Sequence, residues 1–586
     1  MEQSALHQFW EKANRALVAK IISELEYEQA FRLEADSGNH CLTLPNGNRY
    51  LVNGKRNIWG QLNILPDSVR RLDNKGAEQP VEASGFMLDA QTALGLDDET
   101  LAEHLEDLYA TLLGDCKLMQ LRENLDAEAF ARLSLEKQQC LFDGHPKFAF
   151  NKGRRGWGCE DLRRFAPEGE EPFQLCWLAV RRTLVCEAIS GQLDWDTLYQ
   201  SALSDRDLAS FHCDLNALGL NPDHFLLLPV HPWQWDHKLS LLFVAELAKQ
   251  EMVYLGVCGD HFLPQLSLRT LTNVSRPAQY DIKLPLTIMN TSCYRGIPSR
   301  YIQAGPLASE WLENTVKSDP LFALSGTGVL QEPASLTVSH LVYDSLNDAP
   351  YRYHELCGVI WRESAALKMK SGEQAILMAA LMETDSTGKP LIGAYIHASG
   401  LSAENWLSQL FRVVVIPYYH LLAKYGVSLI AHGQNITLVL ENNVPKRILL
   451  KDFQGDMRLM QGDIPEQDSL PQAVKDVTVT LPADLIVHDL QTGHFVTVLR
   501  FISPLTEKVG VTEHRFYRLL ADELHAYMRS NPELASRFQQ LDLFTPTIRR
   551  LGLNLAKFRH ATDNSANRML PQMDHFIDNP LYLVTH

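Results

Sequence analysis

Apolar residues recur at helical spacing in two stretches near the start of the chain. The positions from Leu6 to Leu25 predict a long amphipathic first helix, and those from Leu101 to Leu112 predict a second helix that ends near Gly114. Between them, CLTLPNGNRYLV (41–52) is typical of a β-hairpin that turns at Asn46-Gly47. Residues 1–140 are therefore predicted to form a helix-rich subdomain.

The pattern changes twice further along the chain. From 141 to 365 short β-like runs alternate with turns, and 306–340, rich in Ser, Gly and Pro, is predicted to be irregular. From 366 onward the pattern predicts a strand over 391–397, then a helix over 403–425 between an N-cap at Ser402 and a stop at Gly426. After a hairpin over 436–452 the rest reads as mostly helical. The predicted fold class is α+β, with subdomains at 1–140, 141–365 and 366–586.

Composition narrows the class of protein. The 586 residues are 45% apolar. The net charge is -17, so the chain as a whole lacks the excess of positive charge that would attract nucleic acid or an anionic membrane. No secretory signal and no membrane-spanning run is predicted, and ten cysteines show no C-x-x-C spacing. These observations predict a cytoplasmic protein that binds neither nucleic acid nor membrane.

The hairpin AHGQNITLVLENNVPKRILLKDFQGD (431–456) gathers polar residues at its open end. Counting outward from the NNVP turn places Asn435 roughly opposite Asp452, where cross-strand neighbours lie about 5 Å apart. An amide oxygen and a carboxylate at that separation suit Mg²⁺, and His432 and Gln434 precede Asn435. The order of Asn, hairpin and D-F-x-G echoes the metal site of kinases, although a purely structural polar hairpin is the alternative.

Basic residues that suit phosphate come from three other segments. GHPKFAFNKGRRGWG (144–158) is Gly- and Arg-rich but is not a Walker loop. QLSLRTL (265–271) alternates like a strand with Ser267 and Arg269 on one face, and DIKLPLTI (281–288) carries Lys283. NTSCYRG (290–296) is predicted to open a short helix, whose start would bind an anion beside Arg295. Any one of these is more often a structural ion pair, but together they predict a polyanion pocket.

Several of these segments resemble one family. HPWQ (231–234), S-L-R-T (267–270), K-L-P-L-T-I-x-N-T-S-x-Y-R (283–295), H-G-Q-N (432–435) and K-D-F-Q-G-D (451–456) resemble the siderophore synthetases that work without a peptide synthetase template, the IucA/IucC-like or NIS family. The resemblance runs from the first helix to the RMLP near 568. One departure is that Phe148-Ala149 stands where much of the family has a second His-Pro, so no nucleotide role passes to position 148, and His145 is a weak candidate.

The resemblance implies a hand-like fold of thumb, fingers and palm, corresponding to the three subdomains, with a distantly kinase-like palm hairpin. It implies ATP and Mg²⁺ as cofactors and a homodimer. His432 and Arg295 would act in catalysis, and Asn435 and Asp452 would hold Mg²⁺. The citryl substrate would contact Arg295, His432 and Lys557. The implied ATP-binding residues are Lys152, Arg154, Ser267, Arg269, Thr270, Lys283, Thr291, Ser292, Arg295, His432, Gln434 and Asp452.

The implied reaction is an amide ligation through an acyl adenylate. The acid would be N2-citryl-N6-acetyl-N6-hydroxylysine, the amine N6-acetyl-N6-hydroxylysine, and the product an iron-chelating siderophore, with release of AMP and pyrophosphate. The alternatives are a synthetase for a related citryl or succinyl hydroxamate, a kinase-like phosphotransferase that releases ADP, and a non-catalytic module for citrate-like ligands.

Overall fold

The structure, a computed structural model, describes residues 3–36, 38–291, 293–453, 455–559 and 575–586. Both helices and strands are extensive in it, which confirms the predicted mixture. No helix within these ranges is long and apolar enough to cross a bilayer.

The N-terminal part pairs two long helices with a small antiparallel sheet. The first helix, Gln3–Tyr27, packs on Asp98–Leu121, and the hairpin at Asn46-Gly47 is confirmed by the pairing of Thr43 with Arg49. The prediction that the second helix ends near Gly114 is wrong, because this glycine is needed inside the helix. A Cβ on Gly114 would lie 2.7 Å from the Lys152 side chain, so the glycine makes room for that buried lysine. The sheet contains the strands Glu34–Asp36, Asn39–Thr43, Arg49–Val52, Arg70–Leu72 and Glu78–Gln79.

An eight-stranded sheet forms the middle of the chain. Its neighbouring strands all pair antiparallel, and its apolar side chains form a core with the helices beside it. In spatial order the strands are Val185–Ile189, Ala334–Val338, Gly358–Glu363, Tyr280–Lys283, Thr270–Asn273, Met252–Pro264, Phe173–Arg181 and Phe225–Val230.

Two short segments beside this sheet differ from prediction. Gln265–Arg269 is a turn instead of a strand, because Leu268 adopts φ +66° and its N–H donates to Gln265 O over 2.8 Å. NTSCYRG forms a hairpin turn instead of a helix start: Thr291 adopts φ +60° between the paired strands Leu286–Asn290 and Cys293–Arg295. The strand Arg154–Arg155 adds to the other side of Leu286–Asn290.

The C-terminal part is built around the opening hairpin and one long buried helix. Ile436–Glu441 pairs with Val444–Leu450 through a two-residue turn in which Asn442 and Asn443 both have positive φ, as a type I′ turn requires. The helix Ala403–Tyr425 begins after Ser402 and ends at Gly426, as predicted. The sheet also contains Glu373–Leu377 and, paired parallel, Gly328–Val329.

Two further predictions, one for this part and one for the middle of the chain, are wrong. The predicted strand at 391–397 is the helix Leu391–Ser399, because a short apolar run does not distinguish a buried strand from a buried helix. The segment predicted to be irregular, 306–340, contains the helices Ala304–Ser318 and Pro320–Ser325 and the strand Ala334–Val338.

The remaining strands and helices complete the layers around these cores. The other strands are Gly54–Arg56, Leu62–Ile64, Val427–Leu429, Met457–Met460, Val479–Leu481, Thr547–Arg549 and Phe576–Asp578. The other helices are Ala83–Leu94, Ala127–Ala131, Leu135–Leu141, Cys159–Phe165, Trp195–Gln200, Asp205–Ala217, Pro232–Gln234, Trp235–Leu239, Ser240–Leu242, Val244–Ala248, Leu341–Asp344, Gln472–Val477, Ala483–Ile486, His488–Leu490, Gln491–Leu499, Arg500–Thr506, Glu513–Ser530, Ala535–Gln540, Leu553–Arg559 and Pro580–Thr585.

A buried ionic network joins the first helix to the end of the chain. Glu24 accepts hydrogen bonds from Lys147 Nζ (3.1 Å) and from Arg500 Nη2 (3.0 Å), and Glu28 accepts from Lys147 (3.0 Å) and from Asn554 Nδ2 (2.9 Å). The charged side chains of this network are 0–2% exposed. The network therefore ties four distant segments of sequence together in the interior.

Candidate active site

Asp452 lies where the C-terminal hairpin meets the eight-stranded sheet. Its Oδ1 accepts hydrogen bonds from Lys283 Nζ at 2.7 Å and from Arg362 Nη2 at 2.6 Å. Burial acts to raise the pKa of Asp452, but Arg362, Lys283 and Lys451 together lower it well below its usual value. The carboxylate is therefore held ionised amid three cations.

Arg362 is a member of this cluster that sequence reasoning missed. It is nearly fully buried, and the carboxylate of Glu332 accepts from its Nε (3.1 Å) and Nη2 (2.7 Å) while Asp452 accepts from Nη2 as well. The available signal was an arginine inside the apolar strand Gly358–Glu363. Because a buried arginine needs carboxylate partners, that position indicated an internal charge cluster.

Lys451 was missed for a different reason, since it lies next to a residue that was selected. It is buried, and burial lowers the pKa of its ammonium to about 8. Its side chain has no hydrogen bond or ion pair to the residues that the structure describes. Together with Lys283 and Arg362 it makes this corner of the molecule rich in positive charge.

The turn segments bring the other predicted phosphate ligands to the same region. Arg295 Nη2 donates to Thr291 Oγ1 at 2.8 Å and to the carbonyl of Asn290 at 3.1 Å, which braces the hairpin turn. Arg269 Nη1 donates to the carbonyl of Gly296 at 2.6 Å. Arg269, Thr291 and Arg295 therefore lie together, whereas Ser292 lies outside the described residues.

Ser267, Thr270 and Lys283 are linked through the sheet. Ser267 Oγ accepts from the N–H of Thr270 at 3.3 Å, and Thr270 pairs directly with Lys283. Burial is the main cause that lowers the pKa of Lys283, and Arg269 is close enough to lower it further. The structure thus connects the phosphate candidates of the turn to the charge cluster around Asp452.

Backbone strain concentrates in this region. Leu268, Thr291, Glu355 and Asp452 are non-glycine residues with φ between +58° and +66°. Such conformations cost about 1–3 kcal/mol each and persist only where surrounding contacts enforce them. They fix the directions of the turns that carry Arg269 and Arg295.

His432 lies half-buried beside the cluster. Its Nδ1 accepts from the N–H of Gln434 at 3.2 Å, which leaves Nε2 as the proton-bearing nitrogen of the neutral ring. Desolvation lowers the pKa of His432, with Arg295 and Lys451 acting in the same direction and Asp456 and Asp452 opposing it. The imidazole is therefore neutral at neutral pH, and its Nε2–H is the hydrogen-bond donor that it can offer to a ligand.

Two further histidines lie near His432. The ring of His145 is 6.4 Å away, and burial, followed by His432, lowers its pKa well below its usual value. His494 is fully buried, and its Nδ1 is 2.9 Å from the carbonyl of Ala431. His145 therefore lies close to His432, while His494 supports the segment that carries His432.

Asn435 and Asp452 do not face one another across the hairpin. The last paired residues are Ile436 and Leu450, so the register would place Asn435 opposite Lys451. The Asn435 amide donates instead to Asp456 Oδ2 at 3.2 Å and to the carbonyl of Ile430 at 3.3 Å. The predicted cross-strand pairing is wrong by one residue. Asp456 is a further carboxylate beside Asn435 that sequence reasoning missed.

Lys152 and Arg154 are already held by carboxylates. Lys152 Nζ contacts Asp115 Oδ1 at 2.6 Å and Asp143 Oδ1 at 3.0 Å, and Arg154 forms a two-pronged pair with Glu168 at 2.6 and 3.1 Å. Burial acts to lower the pKa of Lys152, but the two aspartates raise it above its usual value. An ATP contact from either residue stays a prediction.

Lys557 is buried among residues of the N-terminal part. Its Nζ lies 2.8 Å from Asp107 Oδ2 and 3.4 Å from the carbonyl of Phe150. Burial lowers the pKa of its ammonium, and Asp107 partly offsets that effect. Its proposed contact with the citryl group likewise stays a prediction.

Two family models match parts of the chain, and one relative matches nearly all of it. The model described as IucA / IucC family matches residues 133–383, and that described as Ferric iron reductase FhuF-like transporter matches 404–567. The aerobactin synthase of Vibrio mimicus is 58% identical over 584 residues, covering 99% of this chain and 98% of that protein.

Solved structures agree with these matches. The aerobactin synthetase IucC from a hypervirulent pathotype of Klebsiella pneumoniae has a TM-score of 0.89 and 49% identity, covering 99% of this chain and 100% of that one. The ATP-bound IucA of the same organism shares the fold at a TM-score of 0.78 and 17% identity, covering 97% and 99%. The sequence identity to these relatives, the shared fold and the motifs around Asp452 and His432 all agree. The chain therefore belongs to the IucA/IucC family.

Proposed function

We propose that this chain is an ATP-dependent siderophore synthetase that forms aerobactin. The acid is N2-citryl-N6-acetyl-N6-hydroxylysine and the amine is N6-acetyl-N6-hydroxylysine. The 58% identity to an aerobactin synthase over almost the whole chain supports the substrates. The observation that carries the chemistry is the group of cations around Asp452, which suits a triphosphate.

The first step is activation of the acid. A citryl carboxylate attacks the α-phosphorus of ATP, an O–P bond forms, and the bond to pyrophosphate breaks. Negative charge builds on the phosphate oxygens, and Arg269, Lys283 and Arg295 would stabilise it as preorganised donors. Arg295 and His432 would hold the reacting carboxylate, which agrees with their mutual proximity.

Mg²⁺ is the metal that this donor set fits. Both cation hydrogen bonds to Asp452 end on Oδ1, and no other described residue donates to Oδ2. Asp452 Oδ2 and the Asn435 side-chain oxygen are hard oxygen donors of the kind Mg²⁺ takes, and Asp456 adds a third. When bound, the ion would supply charge neutralisation of the phosphates.

The second step is attack by the amine. The ammonium nitrogen of the substrate first loses one proton, and the resulting neutral amine attacks the acyl carbon and forms the C–N bond, while the C–O bond to AMP breaks and AMP leaves with the electron pair. The nitrogen then loses its second proton as the amide forms. His432, whose neutral ring lies close to Arg295, would donate its Nε2–H to the reacting oxygens, and the two protons lost by the nitrogen pass to solvent.

The nucleotide product decides between this reaction and its rivals. The protein is incubated with ATP, Mg²⁺, the citryl acid and the amine, and nucleotides are separated by chromatography. The proposal requires AMP and pyrophosphate together with aerobactin. A kinase-like phosphotransferase would release ADP, and a binding module would leave ATP intact. A different citryl or succinyl acid giving higher kcat/KM would reassign the substrate within the same reaction.

We also propose that the chain forms a homodimer, as its family resemblance implies. Light scattering on the purified protein tests this, with a mass of twice 66.3 kDa expected.

A further inference from the structure

A cavity of about 320 Å³ lies beside the candidate active site and is not used by the reaction as described. Its lining includes Ile297 and Ser299 from one segment and Tyr351, Tyr353 and Glu355 from another. Strand residues and the helix Leu341–Asp344 complete it. It is large enough for an extended alkyl chain of amino-acid size.

The cavity shares a chain segment with the proposed phosphate site. Ile297, in its wall, follows Arg295 by two residues, and Arg269 donates to the intervening Gly296. The N–H of Ile297 donates to the carbonyl of Glu355 at 3.3 Å. A Cβ on Gly296 would lie 2.8 Å from Glu355 Oε2, so the carboxylate packs directly against this segment. A molecule in the cavity would therefore lie within reach of an acyl group held by Arg295.

The polar lining of the cavity contains two carboxylates among hydroxyl and imidazole groups. Glu355 accepts a hydrogen bond from the Tyr351 hydroxyl, and Asp344 stands at the rim. Thr337, 4% exposed, lines the cavity, and its hydroxyl has no hydrogen-bond partner in the described part of the chain. Carboxylates and tyrosine rings favour a cationic ligand and disfavour phosphate or citrate.

The backbone conformation and the burial of Glu355 both favour a strong interaction of its carboxylate with a cation. Its backbone has φ +58°, a conformation that costs free energy and fixes the direction of the side chain. Burial raises the pKa of Glu355, and the Tyr351 hydrogen bond, Arg300, Arg269 and His354 offset part of the rise. A poorly hydrated carboxylate pairs more strongly with an ammonium group than a solvated one does.

We propose that this cavity binds the amine substrate as a primary alkylammonium, with Glu355 as its main anchor and Asp344 as a second carboxylate at the entrance. This inference depends on the proposed function, because it concerns the second substrate of that reaction. Neither carboxylate was selected from the sequence.

The test separates the two half-reactions in the full-length protein. Acid-dependent exchange of pyrophosphate into ATP reports the first step, and trapping of the adenylate by hydroxylamine reports its capture by a small neutral nucleophile. In Glu355→Gln we expect the KM for N6-acetyl-N6-hydroxylysine to rise at least tenfold. Exchange and hydroxylamine trapping should stay within twofold of wild type.

Two further variants keep the test decisive. Asp344→Asn, whose side chain is 42% exposed, should fold normally and raise the KM for the amine severalfold. Asp348→Asn, an exposed change in the same loop but outside the cavity lining, should leave that KM unchanged. If Glu355→Gln does not fold, Asp344→Asn decides the outcome.

An unchanged KM for the amine in Glu355→Gln, or in Asp344→Asn when that variant decides, overturns the inference. An equal loss of exchange and condensation in Glu355→Gln also overturns it, because that places Glu355 at the nucleotide. Failure of the proposed function looks different, since wild type itself would then show no acid-dependent exchange.

Discussion

Replacing Asp452 with asparagine removes one negative charge from the centre of the cation cluster and keeps the shape of the side chain. Lys283 and Arg362 lose the carboxylate oxygen that both contact at 2.7 and 2.6 Å, and Lys451 loses its nearest compensating charge. We expect two opposite effects on ATP. Metal-dependent turnover should fall at least 100-fold, whereas metal-free nucleotide should bind more tightly.

The magnitude of the second effect follows from electrostatics. A unit charge about 5 Å from a phosphate contributes about 3 kcal/mol at an effective dielectric constant of about 20. The Asp452 side chain is 17% exposed, so solvent screens part of this. Half of it, about 1.5 kcal/mol, corresponds to about tenfold tighter binding.

The fold should survive the substitution. Removing one partner of a buried ion pair costs about 3–5 kcal/mol, but Arg362 keeps its pair with Glu332, so we expect about 2 kcal/mol. Urea unfolding measures this loss. It leaves a folded enzyme on which binding and turnover can be compared.

The assay is calorimetric titration of ATP in EDTA, alongside AMP release with Mg²⁺. Asp468→Asn, an exposed aspartate changed in the same way, is the control and should match wild type in both. Near-normal turnover of Asp452→Asn, or metal-free ATP binding weaker than wild type, would refute the assigned role of the carboxylate.

Three other substitutions test separate parts of the structure. Burial raises the pKa of Asp281 to about 6, so its contribution to stability is present at low pH and is lost as pH rises through 6. Asp281→Asn should therefore gain about 2–3 kcal/mol relative to wild type between pH 4 and pH 7 in urea unfolding, and a pH-independent difference would contradict this. Lys147→Met leaves two buried glutamates without one cation and should lower the free energy of unfolding by about 3 kcal/mol. The control Lys137→Met, at an exposed lysine, should lower it by less than about 0.5 kcal/mol. Equal losses in the two variants would exclude a special role for the network. His432→Gln should lower acid-dependent pyrophosphate exchange about 100-fold with the KM for ATP little changed, and a pure KM effect would reduce the histidine to a nucleotide contact.

Local sequence patterns predicted correctly those elements whose ends carry a capping residue or a turn residue. The helix Ala403–Tyr425 is confirmed because Ser402 and Gly426 supply a cap and a left-handed stop. The hairpin at Asn442-Asn443 is confirmed because asparagine tolerates positive φ at both turn positions. The run at 391–397 lacked such marks, and its apolar residues fit a helix or a strand equally well.

Turns that depend on distant contacts could not be read from the sequence. Alternation in QLSLRTL predicted a strand, but Leu268 takes a left-handed conformation that no local pattern requires. The structure nevertheless brings the predicted phosphate candidates together, because Arg269, Lys283, Thr291 and Arg295 lie on connected turns and strands. Their roles toward ATP stay predictions.

Charge partners were the least predictable feature. Lys152 and Arg154 looked available in a glycine-rich loop, yet Asp115, Asp143 and Glu168 reach them from elsewhere in the chain. Arg362 looked like part of an apolar strand and lies at the centre of the site. Which carboxylate meets which cation is fixed by tertiary packing, and a single sequence does not record it.

The buried network of Glu24, Glu28, Lys147 and Arg500 bears on how the protein is made. Glu24 and Arg500 are separated by 476 positions in the sequence. The first helix leaves the ribosome long before Arg500 is synthesised. Glu24 and Glu28 therefore lack some of their hydrogen-bond partners while most of the chain is translated. Chains truncated before Arg500 should therefore accumulate as chaperone-bound or insoluble material, with no independently active N-terminal fragment.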